Sequence, residues 1–410
     1  MLTDRIIQSL LDNDFYNFTM GQLIWQHFAT VDVSYRFINR TRGGADLATL
    51  VDPHEFDSQV QAVRKLRFGN QELAYLRTLG IFDEGYLAYL RNLELPVVTL
   101  NVRDGELGID YHGPWAAAIL WETPLLAIVN ELAARTLGSG REAQIEAEAR
   151  RRFEAKLVTL KASPDVKFVE FGTRRRASFA HQRWVLQRLA AEVPAQLLGT
   201  SNVELARQTG LTPMGTMAHQ LFMVTTALEA AAGSDHPIAT SQAKVLDLFE
   251  AEYGGVRGGK LLTFLPDTFG TETSLALLEP SRAARWAGFR QDSGDPFEVG
   301  ERLITYWEQG GIDPQAQSLM FSDGLDLDLM KRLAARFGNR TNVAFGWGTN
   351  LTNDTPVPPL SIVIKPVAAN GYAVAKLSDN LAKATGEAAT IASLKQEAGY
   401  HVTFRMATVY

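Results

Sequence analysis

Three consecutive arginines, Arg174, Arg175 and Arg176, follow the break Gly172-Thr173 at the end of a strand-length apolar run, Phe168, Val169 and Phe171. A helical pattern starts behind them, with Phe179, Trp184, Val185, Leu186 and Leu189 on or near one face. That order sets fixed positive charge at the carboxyl end of a strand, where guanidinium groups fork onto carboxylates or phosphates. Arginine is unfavourable beside the positive end of a helix dipole, so a triplet there implies an anion close by. A solvated basic helix start is the plainer alternative.

Other short stretches carry usable chemistry. Arg290-Gln-Asp-Ser-Gly-Asp295 puts a cation and carboxylates on one loop, a set that suits pyrophosphate with a divalent metal. Asp295 before Pro296 also reads as a helix cap. Ser322-Asp-Gly324 and Gly346-Trp-Gly-Thr-Asn350 follow consecutive apolar runs and offer backbone N–H groups and hydroxyls to a phosphate. A tight turn explains the second equally well, and capping of a helix the first. Gly215-Thr-Met-Ala-His219 places a histidine at a strand-to-helix junction. A neutral imidazole beside a phosphate acts as base or as nucleophile on phosphorus. Its orienting partner would be a carboxylate such as Asp267. The remaining histidines lack a comparable setting, and no His-Glu-x-x-His spacing marks a metal site.

The elements that must position these residues change rhythm along the chain. Early on, a loop leads into a helix with Asp14 as N-cap and Tyr16 in its first turn. Val31 to Ile38 alternates as a half-buried strand, and 55–92 reads as short helices. Val97–Arg103 and Leu107–Tyr111 read as a hairpin turning at Asp104-Gly105. Trp115–Leu137 reads as an apolar helix and Glu142–Leu160 as a charged amphipathic one. From Val166, short apolar runs (Leu197-Leu198, Leu261–Leu265, Trp286–Phe289, Leu319–Phe321, Val343–Phe345, Ile362–Ile364) alternate with helices at 218–231, 241–253, 273–284, 296–309 and 325–336. This alternation predicts an α/β fold: an irregular α/β barrel over 141–370, with an additional α+β N-terminal domain over 1–140 that residues 371–410 rejoin. In a barrel the polar strand ends all meet on one face.

The whole chain sets limits. Its 410 residues suit two domains, and 46% hydrophobic with 21% charged residues is an ordinary globular balance. A net charge of -6 gives no general affinity for nucleic acid or an anionic membrane. With no cysteine there is no disulfide, thiolate nucleophile or Cys-ligated zinc, which fits a cytoplasmic protein. No apolar run is expected to reach membrane-spanning length, and the amino terminus has no signal-peptide pattern.

Taken together, Leu11-Asp-Asn-Asp-Phe-Tyr-Asn-Phe-Thr-Met20, Glu170-Phe-Gly-Thr-Arg-Arg-Arg176, Thr200-Ser-Asn-Val203, Gly215-Thr-Met-Ala-His219, Arg290-Gln-Asp-Ser-Gly-Asp295, Phe321-Ser-Asp-Gly324 and Phe345-Gly-Trp-Gly-Thr349 resemble the nicotinate phosphoribosyltransferase family, in its order. The resemblance implies synthesis of nicotinate mononucleotide and pyrophosphate from nicotinate and 5-phosphoribosyl 1-pyrophosphate, coupled to ATP hydrolysis with Mg2+, in a homodimer. It implies that Tyr16, from the other subunit, and Phe171 sandwich the pyridine ring. Arg174, Arg175 and Thr216 would hold its carboxylate. Arg290, Asp292, Ser322, Asp323, Gly324, Gly348 and Thr349 would hold the phosphoribosyl donor with magnesium. His219 would become a phosphohistidine, oriented by Asp267. Nicotinamide-using relatives carry an aspartate where Ser201 stands, so Ser201 supports the acid substrate. Trp347 replaces a smaller residue of the second glycine loop. The alternatives are a nicotinamide or quinolinate phosphoribosyltransferase, or a barrel aldolase or isomerase with Lys365 as its Schiff-base lysine.

Overall fold

The computed structural model describes residues 4–41, 46–103 and 106–406. Alternation makes Asp32–Asn39 a strand (β1) that buries Val33, Tyr35 and Phe37. Val98–Arg103 (β2) and Glu106–Pro114 (β3) form the expected antiparallel pair, while the turn residues Asp104 and Gly105 lie outside the described residues. Six short strands then follow: Phe168–Glu170 (β4), Leu197–Thr200 (β5), Thr263–Phe264 (β6), Gly288–Gln291 (β7), Ser318–Phe321 (β8) and Asn342–Trp347 (β9). They make one sheet in the order β5-β4-β9-β8-β7-β6, with every neighbouring pair parallel. Ile362–Ala369 (β10) and Tyr372–Ala373 (β11) complete a second, antiparallel sheet, β11-β10-β1-β3-β2.

Two expectations are corrected here. The parallel sheet is open, not a closed barrel: β5 and β6 are both edges. Past β5 the chain offers Pro213, which makes an isolated bridge to Thr200. Proline has no N–H with which to extend a ladder. A side chain spans the gap towards β6: the Thr216 hydroxyl donates to Thr263 O at 3.4 Å. In addition, Ile362–Ile364 is not a strand of the parallel sheet. It begins β10, which pairs antiparallel with β1 through Asn39↔Ile362 to Val33↔Ala369. A continuous apolar run reads alike in either setting when both faces are covered, as they are at Ile362, Val363 and Ile364.

Helices fill the intervals. The predicted 273–284 helix is two pieces, Thr271–Ala276 and Pro280–Ala283, because proline starts a helix but does not continue one. Trp115–Gly138 runs as a helix, a tight turn at Ile119–Trp121 and a second helix, Glu122–Gly138. By length and composition this 24-residue stretch is apolar enough to cross a membrane, contrary to expectation, yet its 18-residue apolar window is wholly buried and only its last turn, Arg135 to Leu137, is exposed. It packs against Pro53–Arg64, the Thr173–Arg175 turn and β10, and so ties both sheets into one core. Burial of a side chain such as Trp121, whose indole N–H also donates to Pro96 O at 2.9 Å, contributes about 2–3 kcal/mol.

Candidate active site

Parallel strands present their carboxyl ends together, and a cavity of about 470 Å³ opens there. Tyr16, Phe171, Arg174, Arg175 and Ser201 line one part of it. His219, Arg290, Asp292, Ser322, Asp323, Gly324, Gly348 and Thr349 line the rest. Asp267 stands behind His219, and Thr216 lies off the lining with its hydroxyl on Thr263.

The arginine triplet diverges. Arg174 enters the cavity, where Nη1 donates to Glu122 Oε1 at 3.3 Å and Nε lies 3.7 Å from Asp14 Oδ2. Arg175 donates from Nε to Ile362 O at 3.2 Å and also lines the cavity. Arg176 is fully buried and forks onto Asp12 at 2.6 and 2.7 Å, a structural pair. The turn itself hangs on Glu170, a buried carboxyl pushed up to about 7 by desolvation against hydrogen bonds from Thr200, Gly172 and Gln182.

Tyr16 and Phe171 of one chain both line this cavity. Phe171 lies close over β9 because residue 346 is glycine: a Cβ there would meet the phenyl ring at 2.7 Å. Asp14 precedes the Phe15–His27 helix but does not cap it through its side chain. Its carboxyl accepts instead from the Ser201 hydroxyl at 2.7 Å and the Thr123 hydroxyl at 3.0 Å. Ser322 does not cap the following helix either; Asp326 does, at Leu329 N. The Ser322 hydroxyl donates to Asp292 Oδ1 at 2.8 Å, and Gly324 takes a left-handed φ of 58°. Asp295 caps Pro296–Gln309 as expected. Trp347 is buried outside the cavity, edge-on to Phe168.

His219 sits among four groups. Nδ1 is 3.0 Å from Thr268 Oγ1, and Nε2 is 3.0 Å from Asp292 Oδ2, 2.9 Å from Lys376 Nζ and 3.8 Å from Asp267 Oδ1. Burial and the Lys376 ammonium push the imidazole down to about 4, so it is neutral at ordinary pH. Asp267 Oδ2 accepts from the Ser293 hydroxyl at 2.6 Å and from Lys376 at 3.4 Å, while its Oδ1 has no hydrogen-bond donor among the described residues. His219, Asp267 and Asp292 place one ligand atom each within 4.8 Å of one another, which is metal-site spacing. Lys376 already brings a cation there.

Glu122, Arg40, Lys376 and Lys383 were missed from the sequence, and Thr268 stood out only as a polar strand end beside Asp267. Lys383 donates to Asp323 Oδ1 at 2.6 Å and to Asp292 O at 2.8 Å. The one available signal was the polar loop Lys376-Leu-Ser-Asp-Asn-Leu-Ala-Lys383, with a lysine at each end.

Residues 166–401 match the model of the nicotinate phosphoribosyltransferase (NAPRTase) family, and residues 11–130 match that of its N-terminal domain. The chain belongs to the nicotinate phosphoribosyltransferase family. Among solved structures, nicotinate phosphoribosyltransferase from Vibrio cholerae is 33% identical, with a TM-score of 0.87 over 97% of this chain and 95% of that one. The Porphyromonas gingivalis enzyme is 29% identical, with a TM-score of 0.85 over 96% of this chain and 100% of its own. As a nicotinate phosphoribosyltransferase, the chain is an enzyme of NAD biosynthesis from nicotinate.

Proposed function

We propose that this cavity makes nicotinate mononucleotide and pyrophosphate from nicotinate and 5-phosphoribosyl 1-pyrophosphate, coupled to ATP hydrolysis through a phosphohistidine at His219. The observation that carries the reading is the His219 imidazole held 3.0 Å from Asp292 and 2.9 Å from Lys376 at a cavity lined by Arg290, Ser322 to Gly324 and Gly348 to Thr349. An imidazole nitrogen attacks the terminal phosphorus of ATP and ADP leaves; water then attacks that phosphorus, the N–P bond breaks, and inorganic phosphate and the free imidazole are released. Transfer at the anomeric carbon has oxocarbenium character, so positioning and charge dominate it. Tyr16 and Phe171 sandwich the pyridine ring. Its carboxylate falls to Arg174 and Arg175; Thr216 would have to leave Thr263 to join them. Arg290, Asp292, Ser322, Asp323, Gly324, Gly348 and Thr349 take the donor's phosphates and ribose. The carboxylates of Asp292 and Asp323, with Asp267 Oδ1, which has no donor among the described residues, would hold Mg2+, and the ion would offset the charge of the phosphates.

The resemblance also carries a homodimer and a cytoplasmic setting into the proposal. In that homodimer the sites lie at the subunit interface, with Tyr16 reaching the ring from the other subunit. Pyrophosphate release assayed with nicotinate, nicotinamide and quinolinate tests the reading. Preference for nicotinate, with ATP turnover stimulated by both substrates, is expected; preference for either rival substrate would overturn it.

A further inference from the structure

The pyridine pocket carries a charge imbalance. Arg174 faces two carboxyls, Glu122 at 3.3 Å and Asp14 at 3.7 Å. Glu122 Oε2 also accepts from the Tyr16 hydroxyl at 3.3 Å and from Gln220 at 3.4 Å, so it stands behind two residues that line the pocket, Tyr16 and Arg174. Two carboxylates against one guanidinium disfavour a third carboxylate. Besides Arg175, which shares the substrate carboxylate with Arg174 in the pocket reading, Lys365 is a further cation that acts on this group. Lys365, in the middle of β10, lines the cavity, and its ammonium has no hydrogen bond or ion pair among the described residues. The charged groups that act on it are Glu122 at the start of the Glu122–Gly138 helix, Lys376 after β11, Arg174 after β4 and Arg40 after β1. Burial pushes the amine down to about 7, Glu122 pulls it up, and the three cations add to the fall. An anion bound among them reverses that balance.

We propose that Lys365 selects for the acid substrate: it offsets Glu122, which frees Arg174 for the substrate carboxylate, and it takes up a proton as that carboxylate enters. Lys365 is thus a specificity residue of the transferase and not a Schiff-base nucleophile. The inference rests on the pocket reading above, with the ring between Tyr16 and Phe171.

The test is kcat/KM for nicotinate against pH, at saturating phosphoribosyl pyrophosphate, for the full chain and four variants. In the parent, kcat/KM falls as pH rises through about 7, where the empty enzyme's amine loses its proton. Lys365→Arg keeps the value at pH 7 within about threefold and removes the Lys365 part of that fall, because guanidinium does not titrate there. Lys365→Met lowers kcat/KM about tenfold, through KM, and likewise loses that part of the fall. Lys365→Met with Glu122→Gln recovers most of the loss, which a merely structural lysine would not allow. A parental pH profile in Lys365→Arg, or an unchanged KM in Lys365→Met, overturns the inference. Should Lys365→Met fail to fold, the Lys365→Arg profile decides alone. Phe171→Ala separates the two readings. If it raises the nicotinate KM while Lys365→Met does not, only this inference falls; if neither does, the pocket reading falls.

Discussion

The two sheets serve one cavity with different chemistry. The parallel sheet supplies strand ends: Phe171 and Arg174 after β4, Ser201 after β5, Asp292 after β7, Ser322 to Gly324 after β8 and Gly348 after β9. The antiparallel sheet supplies cations from its flank: Arg40 after β1, Lys365 within β10, and Lys376 and Lys383 after β11. Strand direction alone gathers the first group, whatever lies around it. Only the docking of one sheet on the other gathers the second, through β10 and the buried helix Glu122–Gly138. Chemistry thus resides mainly in the strand ends, and the balance of charge in the packing.

The sharpest break to that comparison is His219→Asn. Losing the neutral nucleophile is expected to abolish histidine phosphorylation and cut ATP-driven synthesis by about 10²- to 10⁴-fold, read by labelled-ATP transfer and product formation. Next comes Arg176→Met, which strands Asp12 as a buried carboxylate with its guanidinium gone. It should destabilise the protein by about 3–5 kcal/mol in urea unfolding, showing that the third arginine serves the fold and not the substrate. Smaller is Gly346→Ala. Its Cβ presses on Phe171, at a cost of about 1–3 kcal/mol that should appear chiefly as a raised nicotinate KM.

The Glu170 carboxyl gives a pH test. Its pKa is about 7 in the folded protein against an ordinary 4.5, so the folded state binds more protons between those values. Its contribution to stability is full below about 4.5 and is lost as pH rises through 7. His219, pushed down to about 4 from 6.5, has the opposite slope in its own window. The difference between parent and Glu170→Gln urea midpoints, measured from pH 5 to 8, isolates the Glu170 part: the parent should lose ground to the variant as pH rises. Least of all, Arg77→Ala breaks an exposed pair with Glu84 and should leave melting and activity unchanged.

What was legible in the sequence follows the same division. Glycines and polar residues at strand ends announce a site because a core strand has no need of them, and Phe171, Arg174, His219, Asp292 and Ser322 were read that way. Lys365 was visible only as a lysine at a strand end, since the pull of Glu122 on it depends on how β10 packs. Thr268 was legible as a polar strand end beside Asp267, but its contact with His219, 49 residues away, was not. Closure of the barrel was misjudged because a count of strands says nothing of Pro213, which stops the ladder at the gap. Asp14 was read as a cap because caps are local, whereas its partners Thr123 and Ser201 are distant in the chain.

A crystal structure with nicotinate mononucleotide bound tests the account most directly. The pyridine ring should lie between Tyr16 and Phe171 with its carboxylate on Arg174, and the phosphate on the Ser322–Gly324 and Gly348–Thr349 loops. A nucleotide seated anywhere else, such as the cleft beside His181 and Trp184, would contradict it.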